Sequence, residues 1–292
     1  MKILSVGDRL QPGKYEIHSR FNRVINLTDG KNLLTFVRPE VGAGPINIVV
    51  EGGSLEDIDC VEFDSRSIYF GSNWHEFDAS QIYDSRMNFE AFDHTTLSHN
   101  FSLFKNLITE RAHPKSLAFL LDARRLSGFR SSFEKALVER FLQACQKIAR
   151  GEVLAAVKLS KGCGFGLTPG GDDFIAGLLF GLHFEQGIFK NNLTSLIEEG
   201  HSASVSLHLL TATFLKLAKE GRPFARLKHL FSALIRGTQN DVQNFTNRLL
   251  SFGETSGADL ITGFALTLQA ALGENSNWLQ QAEKMEFEKV SI

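Results

Sequence analysis

The chain has 292 residues, 43% of them hydrophobic and 22% charged, with a net charge of −2. That length allows one large domain or two modest ones with a real core. The charge balance excludes electrostatic capture by nucleic acid or an anionic membrane as the basis of function. Three scattered cysteines, Cys60, Cys145 and Cys163, match no zinc spacing and suit a reducing cytoplasm.

The N-terminus, MKILSVGDRLQPG, turns polar early and does not read as a signal peptide. From there to about residue 80, short runs rich in Val, Ile and Phe alternate with turn signals at Asp29-Gly30, Gly42 to Pro45 and Gly52-Gly53. INIVVEGG reads as a strand and its turn, and SIYFGSNW as a further short strand. Such spacing predicts a small barrel or sandwich-like domain over residues 1–82.

The pattern changes near Ser85. LSHNFSLFKNLITERA and PKSLAFLLDARRL carry helical periodicity, the second opened by Pro114. In SSFEKALVERFLQACQKIAR, the residues Phe133, Leu137, Phe141, Ala144 and Ile148 form one apolar stripe. Further helices are expected around 191–219, 222–236, 239–251, 257–272 and 276–288. The expectation is therefore an α+β chain, with a mainly helical domain over 83–292 carrying the functional motifs. The 25 Phe, against 3 Tyr and 2 Trp, predict a core packed with phenyl rings. The apolar segments, such as Phe174 to Phe184, are too short to span a bilayer.

The run GCGFGLTPGGDDF, Gly162 to Phe174, is the predicted functional centre. Thr168 reads as a helix N-cap and Pro169 as the first helical residue. Gly170 and Gly171 then fall in the first turn, where each is unfavourable by roughly 1 kcal/mol relative to Ala. Close approach of another group to the backbone would justify them, and N–H groups at such a start suit an anion or a carbonyl oxygen. Tight turning, with Asp172 and Asp173 merely offsetting the helix dipole, is the plainer alternative.

A second segment, GETSGADLITGF, echoes the first. Gly166, Thr168, Gly170 and Asp172 align without a gap with Gly253, Thr255, Gly257 and Asp259, and the register slips by one beyond Asp259. Two helix starts sharing one site are the expectation, with Asp172 and Asp259 converging. Asp172 and Asp173 point about 100° apart on a helix and so take different roles. They are the candidate catalytic residues. Lys161, Gly166, Thr168, Gly170, Gly171, Thr255, Ser256, Gly257 and Asp259 are the candidate ligand contacts. Lys158 is a weaker source of positive charge. No cofactor is required by the sequence, and a divalent cation at the aspartates is left open. Cys163 reads as an incidental small side chain, and His201 and His208 as surface or capping residues without metal spacing. No P-loop, GxGxxG or GxSxG motif is present. Gly177 and Gly181 predict close helix packing.

GxGxGLTPGGDDFIAGL resembles the signature GLTPSGDDFLxG of a bacterial domain-of-unknown-function family. TSGADLITG is similar to its second signature and GPINIVVEG to its N-terminal strand, so the likeness runs from about residue 40 to 272. The family includes a subunit of oxamate carbamoyltransferase, a multi-subunit enzyme of anaerobic allantoin use. That enzyme moves a carbamoyl group between oxalurate and carbamoyl phosphate. The resemblance implies a carbamoyltransferase subunit with a small carboxylate or phosphate substrate and partner subunits. A homo-oligomer is left open. Gly170 replaces the serine of the signature, which implies a loop working through backbone N–H groups rather than a side-chain nucleophile. The alternative is a non-catalytic anion-sensing or scaffold subunit of a purine- or allantoin-related complex.

Overall fold

The computed structural model describes residues 1–89, 92–164 and 169–273. Within them the chain forms two compact units that are not contiguous in sequence. The first comprises Met1–Met87 with Leu207–Thr213 and Arg222–Lys228; the rest belongs to the second.

The first unit is built on nine strands: β1 (Lys2–Gly7), β2 (Gly13–Phe21), β3 (Val24–Thr28), β4 (Leu33–Val37), β5 (Asn47–Glu51), β6 (Cys60–Phe63), β7 (Ser67–Phe70), β8 (Asn73–Glu76) and β9 (Ile82–Tyr83). They form one sheet in the order β8-β7-β6-β2-β3-β4-β5-β1-β9. Pairing is antiparallel except at β4–β5 and β1–β9. The sheet curls. Three strands separate β4 from β7, which in a flat sheet places them roughly 19 Å apart. Yet the Phe36 and Phe70 ring centroids lie 5.1 Å apart, edge to face. The curl encloses Val6, Tyr15, Ile25, Leu27, Leu34, Phe36, Ile48, Val50, Val61 and Ile68. SIYFGSNW is a hairpin rather than one strand. Gly71 and Ser72 both take positive φ, 56° and 69°, as a two-residue turn between β7 and β8 requires.

The stretch 222–228 is tied to this sheet. Ala225 N–H donates to the Ala43 carbonyl at 2.9 Å, the Tyr83 hydroxyl to the Pro223 carbonyl at 3.0 Å, and Lys228 Nζ to the Asp84 carbonyl at 2.6 Å. Arg222 lies 3.6 Å from Asp8, whose carboxylate also accepts the Ser85 hydroxyl and N–H.

The helices are α1 (His94–Arg111), α2 (Ser132–Ala149), α3 (Val153–Ser160), α4 (Gly170–Phe189), α5 (Thr194–Ser204), α6 (Leu209–Lys219), α7 (Ala225–Arg236), α8 (Gln239–Leu250) and α9 (Ser256–Ala271). The predicted 191–219 helix breaks at Val205, whose extended ψ of 124° ends α5. The expected helix over PKSLAFLLDARRL is instead two 3-10 turns, Leu117–Leu120 and Ala123–Gly128. Asp122 interrupts it by accepting the Arg124 N–H, a local bond that competes with helix. On α2 the buried stripe is Val138, Phe141, Ala144, Cys145 and Ile148; Phe133 is 61% exposed at the first turn. The 276–288 helix falls outside the described residues. No helix among the described residues is long and apolar enough to cross a membrane.

The phenyl core is real. Phe264 on α9 meets Phe104, Phe184 and Phe231 at 6.0, 5.3 and 4.8 Å between centroids, and Phe174 on α4 meets Phe141 at 5.8 Å. The helices α4 and α9 are enclosed on all sides: Gly170 to Leu182 and Gly257 to Gln269 are all buried.

Candidate functional site

The two motifs form the starts of α4 and α9, which run parallel and touch along their length. At Gly177 a Cβ would overlap the Leu260 carbonyl and crowd the Phe264 nitrogen. At Gly263 it would overlap the Phe174 carbonyl and crowd the Leu178 nitrogen. Each helix thus rests a glycine on the other's backbone. Higher up, Gly181 faces Thr267. The expected packing role of Gly177 and Gly181 is what the structure shows.

These reciprocal contacts define an internal two-fold relation, and it corrects the register of the echo. Gly171 packs on the carbonyls of Ser160 and Cys163, and its N–H donates to Cys163 at 2.7 Å. Gly257 packs on the carbonyls of Leu249 and Phe252, and its N–H donates to Phe252 at 2.9 Å. The equivalent pairs are therefore Gly171 with Gly257, Asp173 with Asp259, and Gly177 with Gly263. The gap-free alignment, which paired Gly170 with Gly257 and Asp172 with Asp259, is one residue out. The cause lies ahead of the helices, where the first loop is the longer one. What repeats is a glycine with no side chain to hold it off a preceding carbonyl.

Three carboxylates are buried at this junction: Asp172 at 5%, Asp173 at 4% and Asp259 at 2% exposure. Asp172 accepts the Gly162 N–H at 2.8 Å and so ties the incoming loop to α4. Asp259 Oδ1 accepts the Leu117 N–H at 2.6 Å, and the Thr255 hydroxyl also bonds this carboxylate. Its Oδ2 faces the start of α4, where a Cβ on Gly170 would stand 2.6 Å away. Burial pushes the Asp259 carboxyl up to about 7, against the opposing bonds from Leu117 and Thr255.

The remaining predicted residues are placed as follows. Pro169, not Thr168, precedes the first helical residue, which is Gly170; the extended ψ of 133° at Pro169 keeps it outside the helix. Gly166 and Thr168 lie outside the described residues. Lys161 caps the end of α3 and is exposed, as is Lys158. Ser256 is the first residue of α9, and Thr255 precedes it. Burial raises the Cys163 thiol above its ordinary range, and its Sγ donates to the Leu159 carbonyl at 3.3 Å, the opposite of an activated thiolate. Among the described residues, no group of three or more His, Cys, Asp or Glu converges as a metal site. The Leu117 turn was not legible as a partner of Asp259, because a backbone N–H far away in sequence carries no residue signal.

Residues 161–268 match the family model described as oxamate carbamoyltransferase subunit AllH. Residues 2–84 match the AllH family N-terminal domain. The chain resembles the AllH family in both of its parts. The two matches take in the curled sheet, the glycine run and the α9 motif. No curated protein and no solved structure gave a match.

Proposed function

We propose that this chain is a cytoplasmic subunit of an oxamate carbamoyltransferase-like enzyme, and that its substrate binds where α4 and α9 begin. The observation that carries the reading is the meeting of two parallel helix starts at Gly170 and Asp259. The positive ends of both helix dipoles add at one place, which favours an anion. Exposed Lys161, at the mouth of the glycine loop, supplies a full positive charge for a carboxylate or phosphate. The amide nitrogen of oxamate attacks the carbamoyl carbon of carbamoyl phosphate. A C–N bond forms, the C–O bond to phosphorus breaks, phosphate leaves, and a carboxylate takes the amide proton. Asp173, with Asp172 beside it, is assigned that acceptor role. Partner subunits complete the site.

The test is thermal stabilisation of the chain, alone and with its partner subunits, by oxamate, oxalurate, phosphate and carbamoyl phosphate. A ligand at about 100 times its dissociation constant adds about 2.7 kcal/mol. No shift with any of the four, in either setting, would defeat the proposal. A second reading, a scaffold subunit, is favoured by one observation: the N–H groups of Gly171, Gly257 and Gly162 are already taken by protein acceptors. Stabilisation of the assembled enzyme without any loss of turnover in Asp173→Asn would select it.

A further inference from the structure

The Leu117 N–H that meets Asp259 comes from a turn with its own clamp. α1 ends at Arg111, and Pro114, which has no N–H, cannot extend it. The last carbonyls of that helix are therefore left without intrahelical donors. Arg125, on the Ala123–Gly128 turn, reaches them. Its Nη1 donates to the Thr109 carbonyl at 2.6 Å, and its Nη2 to the carbonyls of Ala112 at 2.6 Å and His113 at 2.8 Å. The buried Ser116 hydroxyl donates to the same His113 carbonyl at 2.7 Å. Lys115 reaches the other way, its Nζ donating to the Gly128 carbonyl at 2.6 Å. Leu117 follows directly, and its N–H donates to Asp259 Oδ1 at 2.6 Å.

We propose that Arg125 is a positioning residue for Asp259, its guanidinium fork fixing the His113–Leu117 turn and so keeping the Leu117 N–H on that carboxylate. Arg suits the place. Two nitrogens of one rigid plane hold three carbonyls, which a flexible ammonium would not do. The fork acts through the turn rather than by its charge, because burial and the opposing bonds from Leu117 and Thr255 are what set the proton affinity of Asp259. With Oδ1 held in this way, Oδ2 is left facing the start of α4 at Gly170. The other charged groups around this junction are Asp172 and Asp173 on α4 and Glu254 ahead of α9, with His113 3.7 Å from Glu254. The inference rests on the proposed function for its meaning toward substrate, but its geometry does not.

The experiment therefore uses no substrate. The side-chain carboxyl of Asp259 and the backbone amide of Leu117 are titrated by NMR in the full-length chain, in wild type, Arg125→Gln and Arg125→Lys. In wild type the Leu117 amide proton should move downfield as Asp259 ionises, because the bond to a carboxylate is the stronger one. Arg125→Gln is expected to abolish that movement and to raise the proton affinity of Asp259 about tenfold, one unit of titration midpoint. Arg125→Lys keeps the charge without the fork and should behave as Gln does. A wild-type midpoint in the Lys variant would assign the effect to charge and overturn the proposal. An unchanged or lowered midpoint in Arg125→Gln overturns it as well. The Gly162 amide, bonded to Asp172, is the control: if it shifts alongside Leu117, the role of Arg125 is merely structural and the proposal falls. If Arg125→Gln does not fold, Arg125→Lys decides alone under the same criteria. Failure of the ligand panel with a normal Arg125 effect would indict the proposed function and leave this inference standing.

Discussion

Asp259 shows at the scale of one residue how burial, hydrogen bonding and pH are linked. Its folded carboxyl releases its proton near pH 7, whereas the unfolded chain does so near pH 4. The fold thus binds that proton more tightly. The stabilisation is fully present below about pH 4 and is lost as pH rises through about 7, a loss approaching about 4 kcal/mol. Asp259→Asn keeps an acceptor for the Leu117 N–H and cannot ionise. Chemical denaturation across pH 4–8 is expected to show the variant more stable than wild type above pH 7, with the slope between 4 and 7 much reduced. Parallel curves for the two proteins would assign that slope elsewhere. Asp172 behaves differently, because its carboxylate holds the Gly162 N–H. Asp172→Ala should lose about 1–3 kcal/mol by leaving that donor short of its acceptor, and the midpoint of urea unfolding reads it directly.

Among elements, the α4–α9 pair dominates. Its glycines lie against carbonyl groups, and backbone cannot rotate aside as a side chain does. Gly177→Ala and Gly263→Ala should each destabilise by about 3 kcal/mol or prevent folding, at the upper end of overpacking effects. A melting temperature within a degree or two of wild type for either variant would show that the helices can part. Gly171→Val should destabilise the fold for the same reason, since its side chain would meet the Ser160 carbonyl. At α2, Ser131 and Glu134 form a reciprocal capping box, and Ser131→Ala should cost about 1 kcal/mol in thermal unfolding. Much of this was legible beforehand. Short Val-, Ile- and Phe-rich runs between turn signals announced the curled sheet, and the spacing of Gly177 and Gly181 announced a close helix neighbour. The α2 stripe was right at Phe141, Ala144 and Ile148 and wrong at Phe133, since periodicity gives a face but not where the neighbour stops. The register of the two motifs was misread because letters were aligned. What the fold repeats is a distance between a glycine α-carbon and a carbonyl oxygen, and letters do not encode it.

On the scale of the whole molecule, the matching family model is that of an oxamate carbamoyltransferase subunit, and the proposed activity is to be measured in an assembled form. Ligand stabilisation should accordingly be larger with partner subunits than without; an equal shift would show that this chain binds alone. The first unit is also completed late in the chain. Ala225 donates to Ala43 and Tyr83 to Pro223, contacts that sequence reading could not join because more than a hundred residues lie between them. This has a consequence for synthesis. The sheet strands leave the ribosome first, yet the segment that meets Ala43 and Tyr83 is still untranslated when the glycine run emerges. During that interval the nine strands stand without the segment that bonds Ala43 and Tyr83. Stalling translation before residue 222 is where their premature exposure to proteases should be greatest.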